Sequence, residues 1–111
     1  MPRTEYYKPQ QAPKTLLIGV FTYLNKASSI DSYFEEFLNL VKTAQIPYED
    51  ILYVKLRDID PGFFFGKGKL AEIKETCEKH AIEQLIISER LTPQQTRNLE
   101  DYLDCTIIDR T

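Results

Sequence analysis

Continuous apolar runs alternate along this chain with one-sided apolar stripes. Lys14 to Phe21 reads Lys-Thr-Leu-Leu-Ile-Gly-Val-Phe, which predicts a strand buried on both faces. Ser28 and Ser29 then offer an N-cap, and Asp31 sits in the first turn behind them. Ile30, Tyr33, Phe34, Phe37, Leu38 and Val41 recur at helical spacing on one side. Pro47 closes that helix. Ile51 to Leu56 is the second strand, and Asp58-Ile59-Asp60-Pro61-Gly62 is turn chemistry. Leu70, Ile73, Cys77 and Ala81 mark a second amphipathic helix, and Gln84 to Ser88 a short third strand. The third helix announces itself through Thr92 as N-cap, Pro93 at the first helical position and Gln95 as the partner of a capping box. Thr96, Leu99, Tyr102 and Leu103 supply its buried face, and Cys105 to Ile108 is the fourth strand.

The order β-α-β-α-β-α-β with short links predicts an α/β fold built on a parallel sheet. Each crossover should be right-handed, and the expected four-stranded sheet has order 2-1-3-4, with the first helix on one face and the other two opposite. Ligands of such sheets favour the carboxyl ends of the strands. Here that edge carries the loops after Phe21, Asp60, Ser88 and Asp109. Residues 1–13, with Pro2, Pro9, Gln10, Gln11 and Pro13, read as a flexible N-terminal arm. Residues 14–111 form the α/β unit.

Composition narrows the functional classes. At 111 residues the chain suits one domain, and 42% hydrophobic with 28% charged residues is ordinary for a globular protein. Collagen-like, disulfide-scaffold and wholly disordered chains are excluded on those figures. No apolar run approaches the roughly 20 residues needed to span a bilayer, and the N-terminus has no apolar signal region. Two Cys without an export signal point to free thiols in a reducing compartment. A net charge of -3 argues against nucleic-acid binding by the whole surface, though not by a local basic patch.

The sharpest local feature is Gly66-Lys67-Gly68-Lys69 at the entry of the second helix. Gly66 and Gly68 shape the loop, because glycine permits positive φ and close approach of a partner. Lys67 and Lys69 beside a helix N-terminus favour an anion. It is not a Walker loop, since the glycine spacing is wrong and Leu70 stands in the Ser/Thr place. The bland reading is a tight turn whose glycines only permit the bend. Arg90 and Arg97 flank the start of the third helix, and Arg110 ends the fourth strand. With Lys67 and Lys69 these arginines could line one basic rim at the carboxyl edge.

Other candidates are weaker. Cys77 and His80 lie three apart on one helix, but a structural zinc site usually needs four ligands, so no metal site is expected. Ser88 lacks the Gly-x-Ser-x-Gly elbow, and no nucleophile, base and orienter assemble, so no catalytic residue is assigned. Phe63-Phe64-Phe65 is either an exposed stacking surface or a buried plug, with the plug preferred.

Two segments together resemble the N-terminal domain of the HflX family of ribosome-associated GTPases. Asp60-Pro61-Gly62-Phe63-Phe64-Phe65-Gly66-Lys67-Gly68-Lys69-Leu70-Ala71-Glu72-Ile73 is similar to that family's Asp-Pro, aromatic, Gly-x-Gly-Lys stretch. Leu91-Thr92-Pro93-Gln94-Gln95-Thr96-Arg97-Asn98-Leu99-Glu100, followed by Ile108-Asp109-Arg110-Thr111, is similar to its Leu-Ser-Pro-x-Gln-x-Arg-Asn-Leu-Glu and Asp-Arg-Thr. Thr43-Ala44 is a weaker third match. The resemblance covers Lys14 to Thr111. Gln45 stands where a helix-ending Gly is common, and Ser88-Glu89-Arg90 replaces a more acidic run.

The resemblance implies a longer parent protein that continues into a helical hairpin and a GTPase domain, where GTP and Mg would bind. This chain has no Walker loop and no Asn-Lys-x-Asp motif, so the fragment is expected to be non-enzymatic and to hold no cofactor. It implies a cytoplasmic ribosome-docking and regulatory domain, with the large ribosomal subunit and the parent's own GTPase domain as partners. Ribosomal RNA would meet Lys67 and Lys69, with Arg97 and Arg110 as secondary contacts. The alternative is a nucleotide-binding or enzymatic α/β domain that uses the Gly66–Lys69 loop for a free nucleotide. A purely structural loop is the third reading.

Overall fold

The computed structural model describes residues 13–22 and 29–110. In chain order the elements are β1 (Thr15–Thr22), α1 (Ile30–Thr43), β2 (Asp50–Leu56), α2 (Lys67–Lys79), β3 (Gln84–Ile87), α3 (Pro93–Leu103) and β4 (Thr106–Ile108). The four strands are parallel and ordered β2-β1-β3-β4. This is the α/β architecture that the apolar pattern predicts, in the expected strand order. The expected N-terminal arm lies outside the described residues except for Pro13, whose carbonyl accepts from the Thr15 hydroxyl.

The uninterrupted apolar run of β1 follows from its central place. Leu16, Ile18 and Val20 face one side with Val54, Leu85, Ile87 and Ile107, where α2 and α3 contribute Leu70, Ile73, Cys77, Leu99 and Leu103. Leu17 faces the other side with Ile86 and with Phe37 and Val41 of α1. One helix therefore covers one face and two cover the opposite face. Gly19 has a packing reason: a Cβ there would lie 3.0 Å from Phe34 and 3.2 Å from Tyr53.

The helix starts follow their caps. The Ser29 hydroxyl accepts from the Ser32 amide at 3.0 Å, while Ser28 lies outside the described residues. The Thr92–Gln95 capping box forms in both directions, at 3.0 and 2.9 Å. The second helix departs from expectation at both ends. It begins at Lys67, so Gly68 and Lys69 belong to its first turn. It ends at Lys79, so Ala81 is not on its buried face; Ala81 is exposed with φ 52°. The reason is a turn that reverses the chain into β3. The Ile82 amide donates to the Cys77 carbonyl at 2.9 Å and the Ala81 amide to Glu78 at 3.4 Å, a Schellman closure. Buried Ile82 then supplies the apolar contact that the periodicity had assigned to Ala81.

The same closure ends α1, where Gln45 (φ 58°) donates to Lys42 at 2.9 Å and Ile46 to Val41 at 3.3 Å. Asp104 ends α3 at φ 56°. The left-handed residue at each of these helix ends is not glycine. Each costs roughly 1–2 kcal/mol of backbone strain relative to glycine.

Candidate functional site

The link from β2 into α2 lies at the carboxyl edge of the sheet and is a tightly bonded loop. The Asp60 carboxylate accepts from the Gly62 amide at 2.9 Å and the Phe63 amide at 2.7 Å. The Asp60 and Phe64 backbones exchange two hydrogen bonds, at 3.1 and 2.9 Å. Phe64 carries the left-handed conformation that this bend requires, at φ 68°. Phe64 and Phe65 are buried in the core, edge to face with centroids 5.0 Å apart. The aromatic run is thus a plug for two residues. Phe63 is only half-buried and meets Tyr102 edge-on at 6.0 Å.

The third helix holds this loop from the side. Gln95 is buried, and its Nε2 donates to the Asp60 carbonyl at 2.8 Å while its Oε1 closes the capping box. Asn98 Nδ2 donates to the Gly62 carbonyl at 2.8 Å, and Gln94 Nε2 donates to Asn98 Oδ1 at 3.0 Å. The two conspicuous sequence segments are therefore one structural unit, with the polar side chains of one satisfying the backbone of the other.

Gly66 is the N-cap of α2, at φ -71° and ψ 168°, and no glycine has positive φ among the described residues. The role expected of the glycines in bending the loop falls to Phe64. A Cβ at Gly66 or Gly68 would meet nothing within 4 Å, so the fold's own packing does not require either glycine. The first turn of α2 also has no side-chain cap and no acidic residue. Its orphan amides lie under bare backbone, and the positive end of the helix dipole is uncompensated there.

Of the four cations expected to contact RNA, Lys67 and Lys69 share this turn. Lys67 is exposed; Lys69 is half-buried and pairs with Glu72 at 2.9 Å. Arg97 is exposed on α3. Arg110 lies on the opposite side of the sheet, lining a groove of about 170 Å³ with Tyr33, Phe37 and Ile86. The structure groups the two lysines and sets Arg110 apart from them.

The crevice between the ends of β1 and β3, where the strand order reverses, contains a network the sequence did not reveal. The Ser88 hydroxyl is buried and accepts from the Val20 amide at 2.7 Å. The Tyr33 hydroxyl lies 3.2 Å from Ser88 Oγ and donates to the Glu89 carboxylate. Burial first, and the Glu89 hydrogen bond second, push Tyr33 up to about 12. Tyr33 is thus neutral at ordinary pH, and Ser88 is held by backbone rather than by a general base. These contacts join α1 to the sheet. Thr22, the last residue of β1, is also buried.

The soft-ligand candidates diverge. Cys77 is buried and His80 is exposed at the C-cap of α2. Burial pushes the Cys77 thiol up to about 12 and raises Cys105 as well. Both thiols are free. Among the described residues no group of three or more His, Cys, Asp or Glu could hold a metal, and no helix is long and apolar enough to cross a membrane.

Comparison with known proteins agrees with the sequence resemblance. The family model described as GTP-binding GTPase N-terminal matches residues 31–111. A GTPase HflX of Flavobacterium psychrophilum is 30% identical over 98 residues, covering 88% of this chain and 24% of the relative. A GTPase HflX of Caldanaerobacter subterraneus is 40% identical over 81 residues, covering 69% of this chain and 19% of the relative. The chain thus spans about a quarter or less of the length of these relatives. A solved structure of an SsGBP variant superposes with a TM-score of 0.63 at 26% identity, covering 87% of this chain and 29% of that one. With its fold and both of its interlocked motif segments accounted for, the chain belongs to the GTP-binding GTPase N-terminal family, as an HflX-type N-terminal domain.

Proposed function

We propose that this domain docks a longer HflX-type GTP-binding protein onto the large ribosomal subunit in the cytoplasm and tunes the GTPase domain of that protein. GTP and Mg belong to the parent's GTPase domain, and this domain contributes no catalytic group. The supporting observation is the first turn of α2. Gly66 and Gly68 leave its backbone uncovered although neither φ nor internal packing demands glycine there. An open helix N-terminus with the exposed Lys67 beside it suits a phosphate of ribosomal RNA. Lys69 joins once it exchanges Glu72 for a phosphate. Arg97 and Arg110 are secondary contacts on other parts of the surface.

The test uses the full-length protein carrying Lys67→Glu and Lys69→Glu. Large-subunit binding is measured across salt concentrations. The expected result is weaker binding with a shallower salt dependence. Unchanged affinity together with an unchanged slope would falsify the RNA contact.

A further inference from the structure

Beside the docking loop, a groove of about 360 Å³ opens between the Asp60–Gly66 segment, the start of α2 and the end of α3. Its walls are Asp60, Phe63, Phe65, Lys67, Leu70 and Tyr102. Phe65 and Leu70 are buried and form part of the core, whereas Phe63 is half-buried and Tyr102 is 38% exposed. Lys74 stands behind the Tyr102 wall, with its ammonium 4.6 Å from the Tyr102 ring centroid, donating to the Tyr102 carbonyl at 2.9 Å and pairing with the Glu78 carboxylate at 4.0 Å. The Asp60 carboxylate is engaged by the Gly62 and Phe63 amides, which offsets the charge it would present to an anion.

We propose that this groove takes an unpaired base of single-stranded RNA. The base lies against Phe63 and Tyr102, and the flanking phosphates meet Lys67 and Lys74. The charge pattern selects this occupant. On a chain of net charge -3, the exposed Lys67 lines an aromatic groove and Lys74 stands behind its Tyr102 wall, within reach of a phosphate once it releases Glu78. This pattern complements a flat apolar unit carried on an anionic backbone. A duplex keeps its bases stacked within itself and presents mainly backbone, so it cannot use the aromatic wall. This inference rests on the RNA-docking reading and deepens it by naming the RNA as unpaired.

The test titrates the 111-residue chain with a labelled oligoadenylate and with a blunt-ended RNA duplex of matched length. Tyr102→Leu keeps apolar volume but removes the aromatic face. It is expected to weaken oligoadenylate binding about tenfold with little change in salt dependence, and to leave duplex binding unaltered. Phe63→Leu should act in the same direction. The Phe63 and Tyr102 ring resonances should shift on adding oligoadenylate. Thermal melting of each variant confirms that the fold is retained. Wild-type oligoadenylate affinity in both folded variants would overturn the proposal, as would equal losses for oligoadenylate and duplex. So would ring shifts produced by a proline-rich peptide and not by oligoadenylate. If the lysine double variant loses large-subunit binding while Tyr102→Leu does not alter RNA binding, phosphate docking stands and base stacking falls.

Discussion

The Nε2 of Gln95 donates to the carbonyl of Asp60 at 2.8 Å, joining the start of α3 to the loop that delivers α2. The same side chain closes the capping box of its own helix through Oε1. One buried amide therefore satisfies backbone groups of two segments 35 residues apart. Removing it affects both.

Gln95→Ala should destabilise the domain by about 2 kcal/mol, from a lost cap contact and a lost hydrogen bond to the Asp60 carbonyl, which keeps the Phe64 amide as its other donor. Asn98→Ala, at a half-buried position, should cost about 1 kcal/mol. Urea denaturation would check the order of the two effects. Equal midpoints for Gln95→Ala and wild type would contradict the interlock.

Gln45→Gly and Ala81→Gly should each raise stability by about 1 kcal/mol, because both residues now occupy the left-handed region without glycine's freedom. The two sites close different helices, so their effects should add. A thermal melt of the double variant should shift upward by more than either single variant does.

Gly68→Ala separates folding from docking. A Cβ there meets nothing within the domain and lies inside a helix, so stability should stay equal or rise by up to about 1 kcal/mol. Large-subunit binding by the full-length protein should nevertheless weaken, because the methyl group covers the first turn of α2. Undiminished binding by Gly68→Ala would show that no partner approaches this backbone closely.

Tyr33 ties stability to alkaline pH. Its folded pKa of about 12 exceeds the ordinary value of 10.0, so the folded state holds this proton more tightly than the unfolded state does. Its contribution is complete below pH 10 and is lost as pH rises toward about 12. Wild type should therefore lose more stability than Tyr33→Phe across that window. Parallel denaturation curves at several pH values would reveal the difference.

Gly19→Ala should destabilise by about 1–3 kcal/mol, because its Cβ would press on the Phe34 and Tyr53 rings. Adding Phe34→Leu should recover part of the loss, read as a rise in melting temperature over Gly19→Ala alone.

Local period and punctuation determined much of this protein in sequence. The apolar run at β1 marks a strand covered on both faces, and the three helical stripes and their links lead to a parallel sheet, whose order in the structure is the expected 2-1-3-4. The Thr92-Pro93-Gln94-Gln95 start of α3 was legible because a capping box is made within four residues. The family motifs were legible for a similar reason, since each is contiguous. Long-range polar partnerships were not. Nothing in the spacing says that the second nitrogen of Gln95 serves Asp60, that Asn98 serves Gly62, or that Tyr33 reaches Ser88 and Glu89. Such bonds are chosen only when packing brings an unsatisfied group within reach. The same holds for backbone strain: glycines drew attention at Gly66 and Gly68, while the structure put positive φ at Phe64, where burial of two aromatic rings holds the bend. Tertiary structure also decided the charge geometry, setting Lys67 and Lys69 on one turn and Arg110 across the sheet, because a residue's side of the sheet depends on how the crossovers pack.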